Sequence, residues 1–353
     1  MRRARGSGHD QRIGVSPMDG TERWTVSAFP RVPKDLPTWV LTEGATGMVN
    51  QALALTDALG LTPIVKRAAP RGWPATLPLW LGLPALDHLA PASDPLAPPW
   101  PRLLIACGRK SIGLALAIKR ASGGQCFTVY VQDPLIDPTR FDLVIAPRHD
   151  RVRGPNVMLT RGAPSRITAA RLAEARAHFD DLLRPIPRPL IAVLLGGRTR
   201  RHPFKPAEAT ALGRKLADLS TTQGAGLAIT ASRRTPPESL AALRAAIGAR
   251  AGLFYDGAGV NPYLGLLAHA DAIVVTSDSV NMISDACSTG RPVLIARLEG
   301  QPSHRLRNFL SGLEEDGYIR WFEDRLEGYS YRPLDDAALA AAEIARRLAS
   351  AAR

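Results

Sequence analysis

Cysteine is scarce. Cys107, Cys126 and Cys287 are the three in 353 residues, far apart and without a CxxC spacing. That argues against a disulfide framework or a zinc site and fits a reducing compartment. No run of about 18 consecutive apolar residues occurs, so the sequence predicts no membrane-spanning helix. The first 36 residues lack the apolar core of a secretory signal, and Gly6, Gly8, Gly14 and Pro17 would spoil an amphipathic transit helix. Residues 1–36 therefore read as a disordered leader, with Met18 as an alternative start. The GxGxxG and Walker fingerprints are missing, and so is a DxD metal motif in the strand-end loops. No metal and no cofactor are expected on that ground.

Positive charge, by contrast, is plentiful. The formal charge is +13, and residues 1–36 supply only +3 of it, so +10 belongs to the body. A basic body attracts nucleotides, anionic lipid or nucleic acid, although arginines on solvated faces would give the same total. No nucleic-acid recognition motif accompanies the charge, so nucleic acid is not an expected partner.

The rest of the chain alternates short β-rich runs with helical segments, the pattern of a parallel sheet covered by helices. In the first half the strands are read at 38–42, 103–106, 127–131, 142–146 and 156–160, and the helices at 48–59, 111–121 and 168–183. Ala52, Leu55 and Leu59 share one face of the first helix, with Gly60 where a C-cap belongs. RPIPRP (184–189) then breaks the pattern as a stiff connector. A second series follows, with strands at 189–195, 226–230, 252–255, 271–276 and 292–296 and helices at 206–220, 237–248, 261–269 and 279–289. A final Ala-rich helix spans 335–352, with Leu339, Ile344 and Leu348 at helical spacing. The division expected is an N-terminal Rossmann-like acceptor domain over 37–185, a C-terminal nucleotide-sugar domain over 186–334, and a C-terminal helix over 335–353. An insertion at 70–102 carries nine prolines with Trp73, Trp80 and Trp100. It either presents aromatics to a lipid or acceptor, or packs on its own domain with the tryptophans as anchors.

Ligands of open parallel sheets bind beyond the carboxyl ends of the strands, so those loops carry the functional reading. In LLGGRTRRHPF (194–204), Gly196 and Gly197 would let backbone N–H groups approach a phosphate, with Arg198, Arg200 and Arg201 adding charge. In TASRRTPPE (230–238), Ser232, Arg233 and Arg234 precede a helix start, which Thr235 would cap in the plainer reading. In TSDSVNMISDACSTGRPV (276–293), Ser277, Asp278 and Ser279 enter a helix whose free N–H groups suit a diphosphate. Asp285 lies six residues after Ser279, where its carboxylate could accept both hydroxyls of a ribose.

On Gly196–Gly197 and Ser279 with Asp285, the second half resembles GT-B glycosyltransferases and UDP-N-acetylglucosamine 2-epimerases. From about 38 to 330 the chain is more similar still to the mitochondrial-fission (elongated-mitochondria) family, whose bacterial members are often labelled nucleoside-diphosphate-sugar epimerases. The stretches WVLTEGATGMVNQALALTDALG, CGRKSIGLALAIKR, VYVQDP, FDLVIAPRHD, LLGGRTRRHPF and SRRTPPE carry that resemblance, together with the Ser-rich stretch above. It implies an α/β protein of the GT-B type, two facing Rossmann-like domains with parallel sheets.

GT-B acceptor domains turn a glycine loop toward the cleft, and LTEGATGMVNQ (41–51) resembles it through Gly44 and Gly47. Glu43 there would deprotonate an acceptor hydroxyl, or else pair with a nearby Arg; Asp133 and His149, both following strands, are the further candidates for the base. Arg109 and Lys110 precede a helix and would bind an acceptor or anion. The leading expectation is a metal-independent glycosyltransferase using a nucleotide-diphosphate sugar. Its acceptor would be an envelope glycolipid and its place cytoplasmic, with peripheral contact at the inner membrane face. The alternatives are a nucleotide-sugar epimerase and a non-catalytic GT-B scaffold that recruits a membrane or partner. Against the epimerase, this chain reads Thr-Glu-Gly-Ala-Thr after its first strand, where the 2-epimerases carry Gly-Thr-Arg-Pro-Glu.

Overall fold

Strands without a solvent side must be apolar throughout, and the runs read above are. In a computed structural model, which describes residues 30–71, 86–199, 202–323, 325–326 and 328–351, they build two six-stranded parallel sheets. The first contains β1 (Thr38–Thr42), β2 (Ile64–Arg67), β3 (Leu103–Cys107), β4 (Phe127–Val131), β5 (Leu143–Pro147) and β6 (Val157–Thr160), in the order β2-β1-β3-β4-β5-β6. The second contains β7 (Leu190–Leu195), β8 (Gly226–Ala231), β9 (Ala251–Tyr255), β10 (Ala272–Thr276), β11 (Val293–Ala296) and β12 (Arg320–Trp321), in the order β12-β11-β10-β7-β8-β9. The chain is thus an α/β protein of the GT-B type. The strand order reverses between β1 and β3 in one sheet and between β7 and β10 in the other. At such switch points the strand-end loops part and leave a crevice.

Helices cover both faces of each sheet. α1 (Thr46–Leu59) and α2 (Ser111–Ala121) belong to the first sheet. Ala52 and Leu55 of α1 are fully buried, and Gly60 caps the helix in the left-handed conformation at φ 70°. The second sheet carries α4 (Pro206–Gln223), α5 (Pro237–Ile247), α6 (Tyr263–His269), α7 (Val280–Cys287) and α8 (His304–Glu315).

Two helices cross between the halves. α3 (Ala169–Leu183) packs against α6, and its Leu183 joins Ile186 in the core of the second sheet. The chain therefore crosses over ahead of α3, before the proline segment. α9 (Asp336–Ala351) returns to the first sheet and packs on α1. There Ala340 and Ile344 enter the core, while Leu339, expected on the same face, is exposed. The two crossings lie side by side: Asp336 accepts hydrogen bonds from the backbone N–H groups of Arg161 (3.1 Å) and Gly162 (2.7 Å).

Within the insertion, residues 86–102 pack on their own domain. Trp100 meets Trp39 edge-on at 6.0 Å. Asp94 accepts from the backbone N–H of Arg67 at 2.6 Å, which covers part of the exposed edge of β2. Trp73, Trp80, Arg200, Arg201 and the leader up to residue 29 lie outside the described residues.

Candidate functional site

At the β7/β10 switch point, the loop after β7 is threaded through a tight opening. A Cβ on Gly196 would come within 2.1 Å of Asp278 Oδ1, and one on Gly197 within 2.1 Å of the Arg234 carbonyl carbon. The backbone N–H of Gly196 donates to Thr276 Oγ1 (2.7 Å), that of Gly197 to Asp278 Oδ2 (2.9 Å), and that of Arg198 to the Arg234 carbonyl (2.8 Å). The amides expected to meet a phosphate are thus engaged by protein acceptors. Asp278, expected at a diphosphate, has a fully buried side chain, accepts from Thr276 Oγ1 (2.7 Å), and lies 3.5 Å from Arg234 Nη2. Ser232 Oγ donates to the Gly196 carbonyl (2.8 Å), Ser277 Oγ accepts from Leu298 N (3.2 Å), and Arg198 stands exposed, 3.5 Å from Glu238. Thr235 does not cap α5, whose N-cap is Pro236; its hydroxyl bonds back to the Gly196 carbonyl.

The open space lies one step further along α7, between the domains. A cavity of about 300 Å³ is lined by Gly47, Asn50 and Gln51 of α1, Tyr263 of α6, and Asn281 and Asp285 of α7. Asp285 closes its foot. Ser165 donates to Asp285 Oδ1 at 2.5 Å and the Tyr263 hydroxyl donates to Oδ2 at 2.9 Å. Burial pushes the Asp285 carboxyl above its ordinary range, against the pull of those two hydroxyls and of Arg171. Arg166 and Arg171 stand on the linker side of the cavity, Arg166 paired with Asp57 at 2.6 Å. Ser279 is the N-cap of α7, but its side chain does not cap the helix, and the first turn holds no acidic residue. The same is true of the starts of α1 and α2. Three helix starts near the two switch points therefore lack both a side-chain cap and an acidic residue in the first turn.

In the first half, Glu43 pairs with Lys110 at 2.9 Å across the β1/β3 switch point. The Gly44 N–H donates to Thr42 Oγ1. Gly47 lies so close to the second domain that a Cβ would stand 2.1 Å from Asn281 Nδ2. Asp133 accepts from Leu135 N at 2.8 Å in a local turn. Burial first, then Cys107, and after it the Asp133 and Glu43 carboxylates, push up the Tyr130 hydroxyl, with Arg109 opposing. Glu43, Asp133 and Arg109 thus lie within electrostatic reach of Tyr130. His149 does not join them. Its ring lies edge-on to Phe309 of α8 at 5.1 Å, between the domains. Burial and then the Arg305 and Arg148 charges lower its pKa, against Asp150. Arg233 reaches from the second domain to Thr46 Oγ1 of the first.

Sequence reasoning missed Gln51, Ser165, Tyr263 and Asn281. Asn281 stood two residues past Ser279 and was within reach of the pattern. Ser165 carried no local signal, because it comes from the crossing between domains. Among the described residues, no group of three or more His, Cys, Asp or Glu side chains is placed to hold a metal ion. No helix among them is long and apolar enough to cross a membrane.

A family model described as mitochondrial fission ELM1 matches residues 46–348. The mitochondrial fission protein ELM1 of Arabidopsis thaliana is 35% identical over 277 residues, which are 71% of this chain and 64% of that protein. The match thus spans less than two thirds of the plant relative. An uncharacterized protein of Rickettsia prowazekii is 26% identical over 340 residues, covering 85% of this chain and 95% of its own. Among solved structures, the UDP-GlcNAc 2-epimerase of Methanocaldococcus jannaschii superposes with a TM-score of 0.53 at 10% identity, over 89% of this chain and 99% of that one. The same enzyme in complex with UDP-GlcNAc and UDP gives 0.50. At such low identity these likenesses report the fold.

Proposed function

We propose that this chain, which belongs to the mitochondrial fission ELM1 family, binds a nucleoside diphosphate sugar between its domains and transfers the sugar to an acceptor hydroxyl. The observation that carries this reading is Asp285, a carboxylate at the foot of an interdomain cavity, on a helix whose start is uncapped. The carboxylate accepts the two ribose hydroxyls on its remaining lone pairs, beside the Ser165 and Tyr263 contacts. The diphosphate lies toward the starts of α7 and α1, where Arg233, Arg109 and Lys110 add positive charge. With the amides of Gly196 and Gly197 occupied, Gly196 acts by admitting Asp278 and Gly197 by admitting the Arg234–Thr235 backbone, and the helix starts take the anion.

In the transfer step, Glu43 or Asp133 removes the proton of the acceptor hydroxyl. The oxygen attacks the anomeric carbon, and the bond from that carbon to the phosphate oxygen breaks. The departing nucleoside diphosphate takes the electron pair, and its charge is stabilised by the helix starts and arginines. Lys110 holds Glu43 in place for this role. The body charge of +10 would bring the chain to an anionic membrane face, where a glycolipid acceptor resides; co-sedimentation with anionic vesicles at low salt tests that step, and absence of binding removes it.

Calorimetry against UDP, and then UDP-, GDP-, CMP- and ADP-sugars at low salt, tests the binding. Heat with at least one is expected, and none with any would overturn the reading in favour of a scaffold. Incubation of a bound sugar nucleotide without acceptor separates the chemistries. Slow hydrolysis is expected for a transferase, whereas a new sugar epimer would make the protein an epimerase.

A further inference from the structure

Three amide side chains run in a line from the first domain into the second. Gln132 follows β4 with φ +90°, a left-handed conformation that a non-glycine residue holds only when its surroundings enforce it. Its Nε2 donates to Gln51 Oε1 at 3.3 Å. Gln51 is 7% exposed on α1, and the buried Cys107 thiol sits 3.9 Å from the same oxygen as a weak second donor. With Oε1 filled by two donors, Gln51 has only its Nε2 to offer, and that nitrogen donates to Asn281 Oδ1 of the second domain at 2.7 Å. Asn281 must then turn its own NH2 the other way. It lies over Gly47, whose missing side chain leaves the room, and against the cavity.

We infer that Gln51 is a positioning residue that joins domain closure to ligand recognition: beside the Arg305–Asp150 and Arg148–Asp316 pairs at the far side, the bond from Gln51 to Asn281 closes the cleft at the cavity and, by fixing the Asn281 amide, aims its NH2 at the anionic part of the ligand. With Gln132 donating to Gln51 Oε1, the Gln51 Nε2 is the group turned toward Asn281. Closure and presentation of the Asn281 donor are then one event. An open cleft lets the Asn281 amide rotate and offer its oxygen, which would repel an anion. The arrangement favours an oxyanion such as a diphosphate over a cationic or neutral ligand at that spot. The ligand half of this inference rests on the nucleotide-sugar reading; the closure half does not.

The test uses the full chain and two measurements, small-angle scattering without ligand and calorimetry with UDP. Gln51→Met has similar volume and cannot make the bond. It is expected to enlarge the radius of gyration of the free protein and weaken UDP by roughly tenfold, as loss of one buried hydrogen bond implies. Asn281→Asp keeps the oxygen that Gln51 donates to but loses the NH2. It is expected to stay as compact as the parent chain while binding UDP at least as poorly as Gln51→Met, because it also sets a charge against the anion. A cooperative melt controls for folding, and Asn281→Leu, which cuts the bond from the other domain, must expand the protein as Gln51→Met does. A Gln51→Met protein that melts cooperatively and stays compact would overturn the inference, and so would an Asn281→Asp protein with undiminished UDP binding. If the parent chain binds no UDP, the functional reading fails while scattering still judges the closure.

Discussion

Asp285→Ala is expected to weaken UDP binding by about 100-fold or more, the worth of two hydroxyl-to-carboxylate hydrogen bonds. The titration of the parent chain should show the same dependence. Because burial raises the Asp285 carboxyl above its ordinary range, affinity should fall as pH drops through that raised value, earlier than for an exposed carboxylate. Stability runs the other way. A carboxyl whose folded pKa is raised contributes stability that is fully present below its unfolded pKa and is lost as pH climbs through the folded pKa. At neutral pH the charged Asp285 is therefore a burden on the empty protein. Asp285→Asn should melt no lower than the parent chain at pH 7 while binding UDP poorly. A melt clearly below the parent, with affinity intact, would make Asp285 a structural residue. Calorimetry over a pH series and thermal melts of the two variants decide it.

Gly197→Ala should be the most damaging single methyl in the second domain. The added carbon would stand 2.1 Å from the Arg234 carbonyl carbon and 2.5 Å from Thr235 N, both backbone atoms that no rotamer can move aside. The loop would have to leave its place, and with it the hydrogen bond from Gly197 to the buried Asp278. A cost of about 3 kcal/mol or more is expected, at the upper end for overpacking. Gly60→Ala is the control. It places a side chain in open space at a left-handed C-cap, so only the backbone preference is lost, about 1 kcal/mol. Urea unfolding of the two variants should separate them in that order; equal costs would show that the loop after β7 yields.

Much of the architecture was legible in the sequence because parallel strands buried on both faces must be apolar throughout. LIAVLL of β7 and AIVVT of β10 could hardly be anything else. β2 was not read, since IVKR is half polar and lies at a sheet edge with two exposed residues. α8 was not read either, since its buried Phe309, Leu310 and Leu313 are scattered among charged neighbours. The candidate site divides in the same way. Asp285 could be found because its relation to Ser279 is a spacing along one helix. Its partners could not: Ser165 lies 120 residues away, and Gln51 meets Asn281 across 230. His149 was placed with Glu43 because both follow strands of one sheet, and the sequence holds no sign that α8 of the other domain covers it. Gly196 and Gly197 were read as room for a phosphate. The room is there, but Asp278 fills it beside Gly196 and the Arg234–Thr235 backbone fills it beside Gly197.

Asp336 bonds the outgoing and returning passages of the backbone to each other at Arg161 and Gly162. Two tethers fixed together at one place make a door hinge with a single axis: the halves can swing apart, yet twisting one against the other would shear the Asp336 bonds. It follows that the amino-terminal half is not a continuous stretch of chain, whereas the second half is. A fragment cut at the proline segment would lack the last helix, leaving Ala340 and Ile344 missing from the core they complete, so the amino-terminal half should need its distant final helix supplied in trans to become stable.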